Sequence, residues 1–224
     1  MVEPIGIASV ASAILGFDTA TPLSPSQARS LRASGFGFCA RYLKRTPSEQ
    51  PPASGPALTL DEAHGVLGSG LALIPVQYGS STLVPDASGG TAVGEAAAIN
   101  AAALGIPVGV TIWCDLEWAP DVAADPSSTI AYANAWHDAV VAAGFRAGLY
   151  VGPNLPLGGV QLGELAFRSY WKSASGVPWP VPRGFQLLQG DAIAIAGTTV
   201  DPDVACDDAQ GDRLVWWMPS EGDA

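Results

Sequence analysis

Cationic side chains are scarce in this chain. Ten Lys and Arg stand against 21 Asp and Glu, a net charge of −11 over 224 residues. The ten are scattered and form no basic stripe, which excludes phosphate neutralisation and with it a nucleic-acid partner. The same balance disfavours adhesion to an anionic membrane surface. Long apolar runs are missing too: no window reaches the roughly 18 apolar residues of a membrane span, so no membrane insertion is expected. Near the start, Glu3 and Pro4 sit where the basic region of a secretory leader belongs. No leader is read there, and localisation stays open. The three cysteines, Cys39, Cys114 and Cys206, are too few and too widely spaced for a disulfide framework or a zinc cluster. They read as buried free thiols. His64 and His137 both fall in helical stretches and partner no carboxylate cluster, so no metal site is expected and no cofactor is implied. The one serine-centred candidate, Gly79-Ser80-Ser81, lacks a nearby base and the nucleophile-elbow pattern, which argues against acyl transfer.

What is abundant is apolar β-type sequence alternating with helical sequence. Apolar runs at 13–18, 36–43, 71–79, 108–118 and 145–152 read as strands. Helices are expected between them: one entered at Ser24-Pro25 and closed by Gly35, and one capped by Thr59 with Glu62 completing a capping box. Others are expected over 94–105 and 128–144, with a weaker one near 161–168. Five βα units in series predict a parallel sheet with helices outside. Three further strands follow at 169–174, 185–190 and 199–205, with gaps too short for a parallel crossover before the last. The fold class expected is α/β: an incomplete TIM-type barrel of five βα units and three strands, the last antiparallel, occupying residues 1–224 as one domain. A doubly wound open sheet is the alternative, weakened by the absence of a Gly-rich phosphate fingerprint after the first strand. Trp216 and Trp217 are expected to seal the barrel wall.

In such barrels the working residues lie at the carboxyl ends of the strands. Those positions hold Asp18, Arg41, Tyr42, Gln77, Tyr78, Asp115, Glu117, Tyr150, Trp171 and Gln189. Asp115 and Glu117 are two apart, which on a strand puts both on one face with Cα atoms roughly 6.5 Å apart. Thr111 and Trp113 share that inward face. Two carboxylates in a low-dielectric mouth repel, raising the pKa of at least one, as a general acid requires. If the eighth strand is antiparallel it starts at the mouth, bringing Asp201 near Asp18. Aromatic rings at Tyr78, Trp113, Trp118, Tyr150 and Trp171 suit stacking on sugar faces, and Arg41, Gln77 and Gln189 could hydrogen-bond a glycan.

The series GFDTATPLS, GFxFxARYL, LTxxEA, LALIPVQY, DxE, GLYVG, Tyr170-Trp171 and VDPDVA spans about 14–205. It resembles the bacterial glycoside-hydrolase-like barrel domains of unknown function, which are similar in turn to the glycoside hydrolase family 25 lysozymes. The resemblance implies five βα units plus three strands, and a site of Asp18, Asp115, Glu117 and Asp201. Glu117 would be the general acid; Asp115 would stabilise the oxocarbenium ion or orient a substrate acetamide. The DxE strand end is also similar to the chitinases, but their longer DxxDxDxE pattern is absent, since Ile112, Trp113 and Cys114 precede Asp115.

The function expected is hydrolysis of a β-1,4-linked amino-sugar glycan, with peptidoglycan as substrate and partner, acting outside the cytoplasm. Two alternatives stay open. One is a non-catalytic glycan-binding or envelope-associated barrel; the other is a hydrolase of another polysaccharide such as chitin.

Overall fold

A computed structural model describes residues 5–7, 13–45, 57–78, 85–117 and 125–218. In chain order the elements are β1 (Ile5–Ile7), β2 (Ile14–Asp18), α1 (Pro25–Ala33), β3 (Phe38–Leu43), α2 (Leu60–Leu67), β4 (Ala72–Gln77), α3 (Ala87–Ala103) and β5 (Thr111–Asp115). There follow α4 (Pro126–Ala142), β6 (Arg146–Val151), α5 (Gly159–Glu164), β7 (Ser169–Lys172), β8 (Leu187–Gln189), β9 (Ile193–Ile195), β10 (Thr198–Ala205) and β11 (Val215–Trp217).

Eight strands close on themselves in the order β4-β3-β2-β10-β8-β7-β6-β5, with β5 returning to β4. Neighbours from β2 round to β8 by way of β5 are parallel. β10 alone is antiparallel, to both β8 and β2. The short gap before the last strand has its explanation here, because β9 and β10 form a hairpin turning at Ala196-Gly197. Both turn residues have positive φ, 51° and 72°, the requirement of a two-residue turn that matches strand twist. β9 itself lies outside the strands expected from sequence.

Helix starts follow capping chemistry. Ser24 and Gln27 form a capping box at α1, and Asp86 and Asp125 accept backbone N–H groups at the starts of α3 and α4. α3 begins seven residues before the expected 94, because the Asp86 cap outweighs the poor propensity of Gly89 and Gly90. At α2, Thr59 accepts from the Glu62 N–H, but the Glu62 side chain turns away to Arg41 instead of completing the box.

Alternation along each strand divides the core in two. Outward residues such as Phe17, Cys39, Leu73, Ile112, Cys114 and Leu149 pack under the helices. Inward residues, among them Phe38, Ala40, Ile74, Val76, Trp113, Trp171 and Leu187, fill the barrel. β4 and β5 pair only toward the mouth, at Val76–Trp113 and Gln77–Cys114. Below that point β11 is wedged in, pairing at Leu73, with the Val215 N–H donating to Thr111 Oγ1 at 3.2 Å. Trp216 then enters the barrel against Phe38 while Trp217 joins the outer core, sealing the wall. Among the described residues no helix is long and apolar enough to cross a membrane.

α3 crosses α4 at Gly90 and Gly94. A Cβ on Gly90 would sit 2.2 Å from the Tyr132 carbonyl oxygen, a backbone atom that cannot swing aside. Gly90→Ala gains helix propensity of about 1 kcal/mol yet forces the helices apart. It is expected to lower stability by roughly 1–3 kcal/mol in urea unfolding. A net gain in stability would contradict this packing.

Candidate active site

The mouth is built at the carboxyl ends of the parallel strands. Asp18 ends β2 and Asp115 ends β5. β10 runs the other way, so its beginning lies at the mouth, and register sets Asp201 directly opposite Asp18. Asp203, two residues on and therefore on the same inward face, lies opposite Gly16 on one side and Gln189 on the other. Asp18, Asp115 and Asp203 are buried, at 3%, 4% and 0% exposure, while Asp201 and Glu117 are half-buried. Among the described residues no group of three or more His, Cys, Asp or Glu is arranged to hold a metal ion.

β5 stops at Asp115, so Glu117 does not lie on the strand. The chain turns there, and the Glu117 N–H donates to Asp115 Oδ1 at 2.9 Å, an aspartate turn that pins the Asp115 carboxyl. Glu117 leans over β6: a Cβ on Gly152 would lie 3.0–3.2 Å from its side-chain carbons. Its backbone oxygen accepts from Asn154 Nδ2 at 3.2 Å. Glycine at 152 thus leaves the space that Glu117 occupies.

Neutral donors hold these carboxyls. The Tyr150 hydroxyl donates to Gln189 Oε1 at 3.1 Å and lies beside the Glu117 carboxyl. Gln189 Nε2 donates to Asp18 Oδ2 at 2.7 Å. Trp171 Nε1 donates to Asp203 Oδ1 at 2.8 Å. Burial pushes the Asp18 carboxyl up to about 7; the Gln189 bond opposes it, and the Asp201 charge adds to it. Burial likewise pushes Asp115 to about 7, against the pull of the Glu117 N–H, with the Glu117 charge raising it and Arg45 lowering it. Glu117 is raised by burial, partly countered by Tyr150. Asp203 is raised well above the carboxylate range by burial and then by Asp18.

The expected site residues separate into three groups. Asp18, Asp115, Glu117, Asp201, Tyr150 and Gln189 converge, and Tyr78 stands beside them, its ring edge-on to Tyr42 and under Arg45. Arg41 and Gln77 do not belong to the mouth. Both point outward, because one residue along a strand reverses the face. Arg41 is fully buried against Glu62 (2.7 Å) and donates to the Thr19 and Ala20 carbonyls, tying down the loop after Asp18. Gln77 accepts from Trp136 Nε1 at 2.6 Å and donates to the Val93 and Arg45 carbonyls. Trp113 and Trp171, packed edge to face at 5.8 Å, form the floor beneath the carboxyls and are closed to a stacking sugar. Trp118 lies outside the described residues.

Two mouth residues were not anticipated. Asp203 carries the same two-residue spacing from Asp201 that singles out Asp115 and Glu117, so the signal was present in VDPD. Arg45, past the end of β3, acts on Asp115 and had no motif to mark it.

The family described as "Rv2525c-like, glycoside hydrolase-like domain" matches residues 29–177, which includes Asp115 and Glu117 but not Asp18, Asp201 or Asp203. No curated protein matches the chain in sequence. An uncharacterised protein of B. stearothermophilus superposes with a TM-score of 0.67 at 22% identity, covering 86% of this chain and 96% of that one. The Tat-secreted Rv2525c of Mycobacterium tuberculosis gives 0.60 at 20%, covering 90% and 98%. A bacterial lysozyme from Streptomyces coelicolor gives 0.58 at 11%, covering 89% and 95%. At these identities the likeness is one of fold.

The raised carboxyls fix how stability depends on pH. Between the unfolded value of 3.8 and the folded value of about 7, Asp18 and Asp115 bind protons in the native state only. Stability therefore falls as pH rises through that window, by on the order of a few kcal/mol. Asp86 and Asp125 are shifted down by the N–H groups they cap, so their contribution is lost only on acidification below the ordinary carboxylate range. Thermal midpoints are expected to be higher near about pH 5 than near about pH 8, with a shallower fall in Asp115→Asn. A midpoint that climbs over this interval would contradict the assignment.

Proposed function

The chain belongs to the Rv2525c-like, glycoside hydrolase-like domain family, and from that membership we propose that it hydrolyses a β-1,4-linked amino-sugar glycan, the peptidoglycan backbone. The observation that carries this reading is half-buried Glu117 joined through its own N–H to buried Asp115 at one strand end. The lysozyme and muramidase barrels that share the fold support it.

In this reading Glu117, its pKa raised by partial burial, gives its proton to the glycosidic oxygen as the bond from that oxygen to the anomeric carbon breaks. Positive charge develops on the sugar ring. Asp115 stabilises that charge or holds the acetamide that attacks in its place. Water then adds at the anomeric carbon and returns a proton to Glu117. Asp18 and Asp201 line the opposite side of the mouth, and Tyr150 and Gln189 orient the carboxyls as well as contacting the sugar. Tyr78 supplies the stacking face.

Reducing-end release from purified peptidoglycan tests the reading. Glu117→Gln keeps the shape but has no acidic proton, so release should fall about 100-fold or more. Equal release by both proteins would remove Glu117 from the mechanism. Binding of amino-sugar oligomers without cleavage by the wild type would replace the hydrolase with a glycan-binding barrel. Release from chitin alone in a mass-spectrometric substrate panel would change the substrate.

A further inference from the structure

We propose that Asp203 is the positioning residue of the mouth: buried against Asp18, it carries the one proton the pair shares and fixes the Asp18 carboxylate at the end of the hydrogen-bond chain that starts at Tyr150, beside Glu117. The side chain of Asp203 has no solvent exposure. Its Oδ1 accepts from Trp171 Nε1 at 2.8 Å. Among the described residues its Oδ2 is equally buried and meets no N–H or O–H donor; the Asp18 carboxyl lies beside it on the same inward face, each next to Gln189. Two ionised carboxylates so placed would repel and could share no hydrogen bond, since an ionised carboxyl only accepts. One of the two holds a proton.

The neighbours decide which one. Gln189 Oε1 already accepts from the Tyr150 hydroxyl at 3.1 Å and the Ala174 N–H at 3.2 Å. The amide is therefore fixed with its N–H toward Asp18, to which it donates at 2.7 Å. Asp18 is the acceptor of that bond, and the buried oxygen left without a donor is on Asp203, which places the proton of the pair there. The chain then runs from Tyr150, beside Glu117, through Gln189 to Asp18, and Asp203 and Trp171 stand at its far end.

Among the described residues, the groups that act on the pair include no cation to hold a second negative charge. From β10 there is Asp201, from β5 Asp115, from β8 the Gln189 amide and from β7 the Trp171 indole. The hydroxyls of Tyr42 on β3 and Tyr150 on β6 also feel Asp18. Arg41 lies on the other face of β3, engaged by Glu62. The placing of Asp18 for sugar chemistry rests on the proposed glycosidase reading; the shared proton does not.

Asn is the isostere of a protonated aspartic acid in this setting, with an oxygen for Trp171 and an N–H for Asp18, whereas Ala removes both. The full chain, carbon-labelled at aspartate carboxyls, is followed by NMR from about pH 5 to about pH 9. The wild type should show an aspartic carboxyl that keeps its proton at about pH 8, and Asp203→Asn should lack it. At about pH 7 the thermal midpoint of Asp203→Asn should stay within about 2 °C of the wild type, while Asp203→Ala drops by more than about 4 °C. Peptidoglycan release by Asp203→Asn should stay within about threefold of the wild type and fall about tenfold or more in Asp203→Ala. Persistence of the protonated signal in Asp203→Asn, or an Asn variant as impaired as the Ala variant, would overturn the proposal. If the wild type releases nothing, the glycosidase reading fails, and the carboxyl signal and the thermal midpoints still decide the shared proton. If Asp203→Ala does not fold, the Asn spectrum decides it.

Discussion

Carboxyl groups crowded into a barrel mouth with few cations to answer them are the constraint on which the rest of this structure turns. An isolated buried carboxylate is costly, and two side by side cost more. The fold meets that cost with protons and hydrogen-bond donors. Asp115 takes the N–H of Glu117, Asp18 takes the amide of Gln189, and Asp203 takes the indole of Trp171. Arg45 is the cation that acts on Asp115, from the rim. The outcome is a set of acids held toward their protonated forms near neutrality, which is the state a glycosidase acid needs.

The remaining architecture keeps those donors in register. The reversal of β10 puts two aspartates at the mouth where a parallel strand would have put its tail. The buried Arg41–Glu62 pair fixes the loop that follows Asp18, and breaking such a pair typically costs about 3–5 kcal/mol, which marks it as structural. Trp113 fits where Gly148 has no side chain, as Glu117 fits over Gly152. At the far end, β11 fills the gap that β4 and β5 leave open, and Trp216 packs into the interior there.

Much of this was legible in the sequence because the barrel strands are short apolar runs with clear punctuation. The antiparallel closure followed from one loop length, since no parallel crossover fits between Gln189 and Thr198. The errors also have physical sources. Strand alternation that sorts Asp115 from Cys114 equally sorts Tyr42 from Arg41 and Val76 from Gln77, but polarity alone drew attention to Arg41 and Gln77. Buried Trp113 and Trp171 look identical, in sequence, to exposed stacking rings; only the closed barrel puts them under the floor. Asp203 was hidden behind Asp201, its more obvious neighbour. The first turn of α3 was hidden by two glycines whose purpose, the approach of α4, is a tertiary one. The role of Gly152 depends on a contact with Glu117 that no local pattern encodes.

The most direct test of the central claim, that the carboxyl-lined mouth is a glycan site, is a crystal structure of the chain with an amino-sugar oligomer bound. The account predicts a sugar lying across Glu117, its acetamide beside Asp115 and the Tyr78 ring against one face. An oligomer seated elsewhere on the barrel, or a mouth closed to sugar by its own side chains, would contradict it.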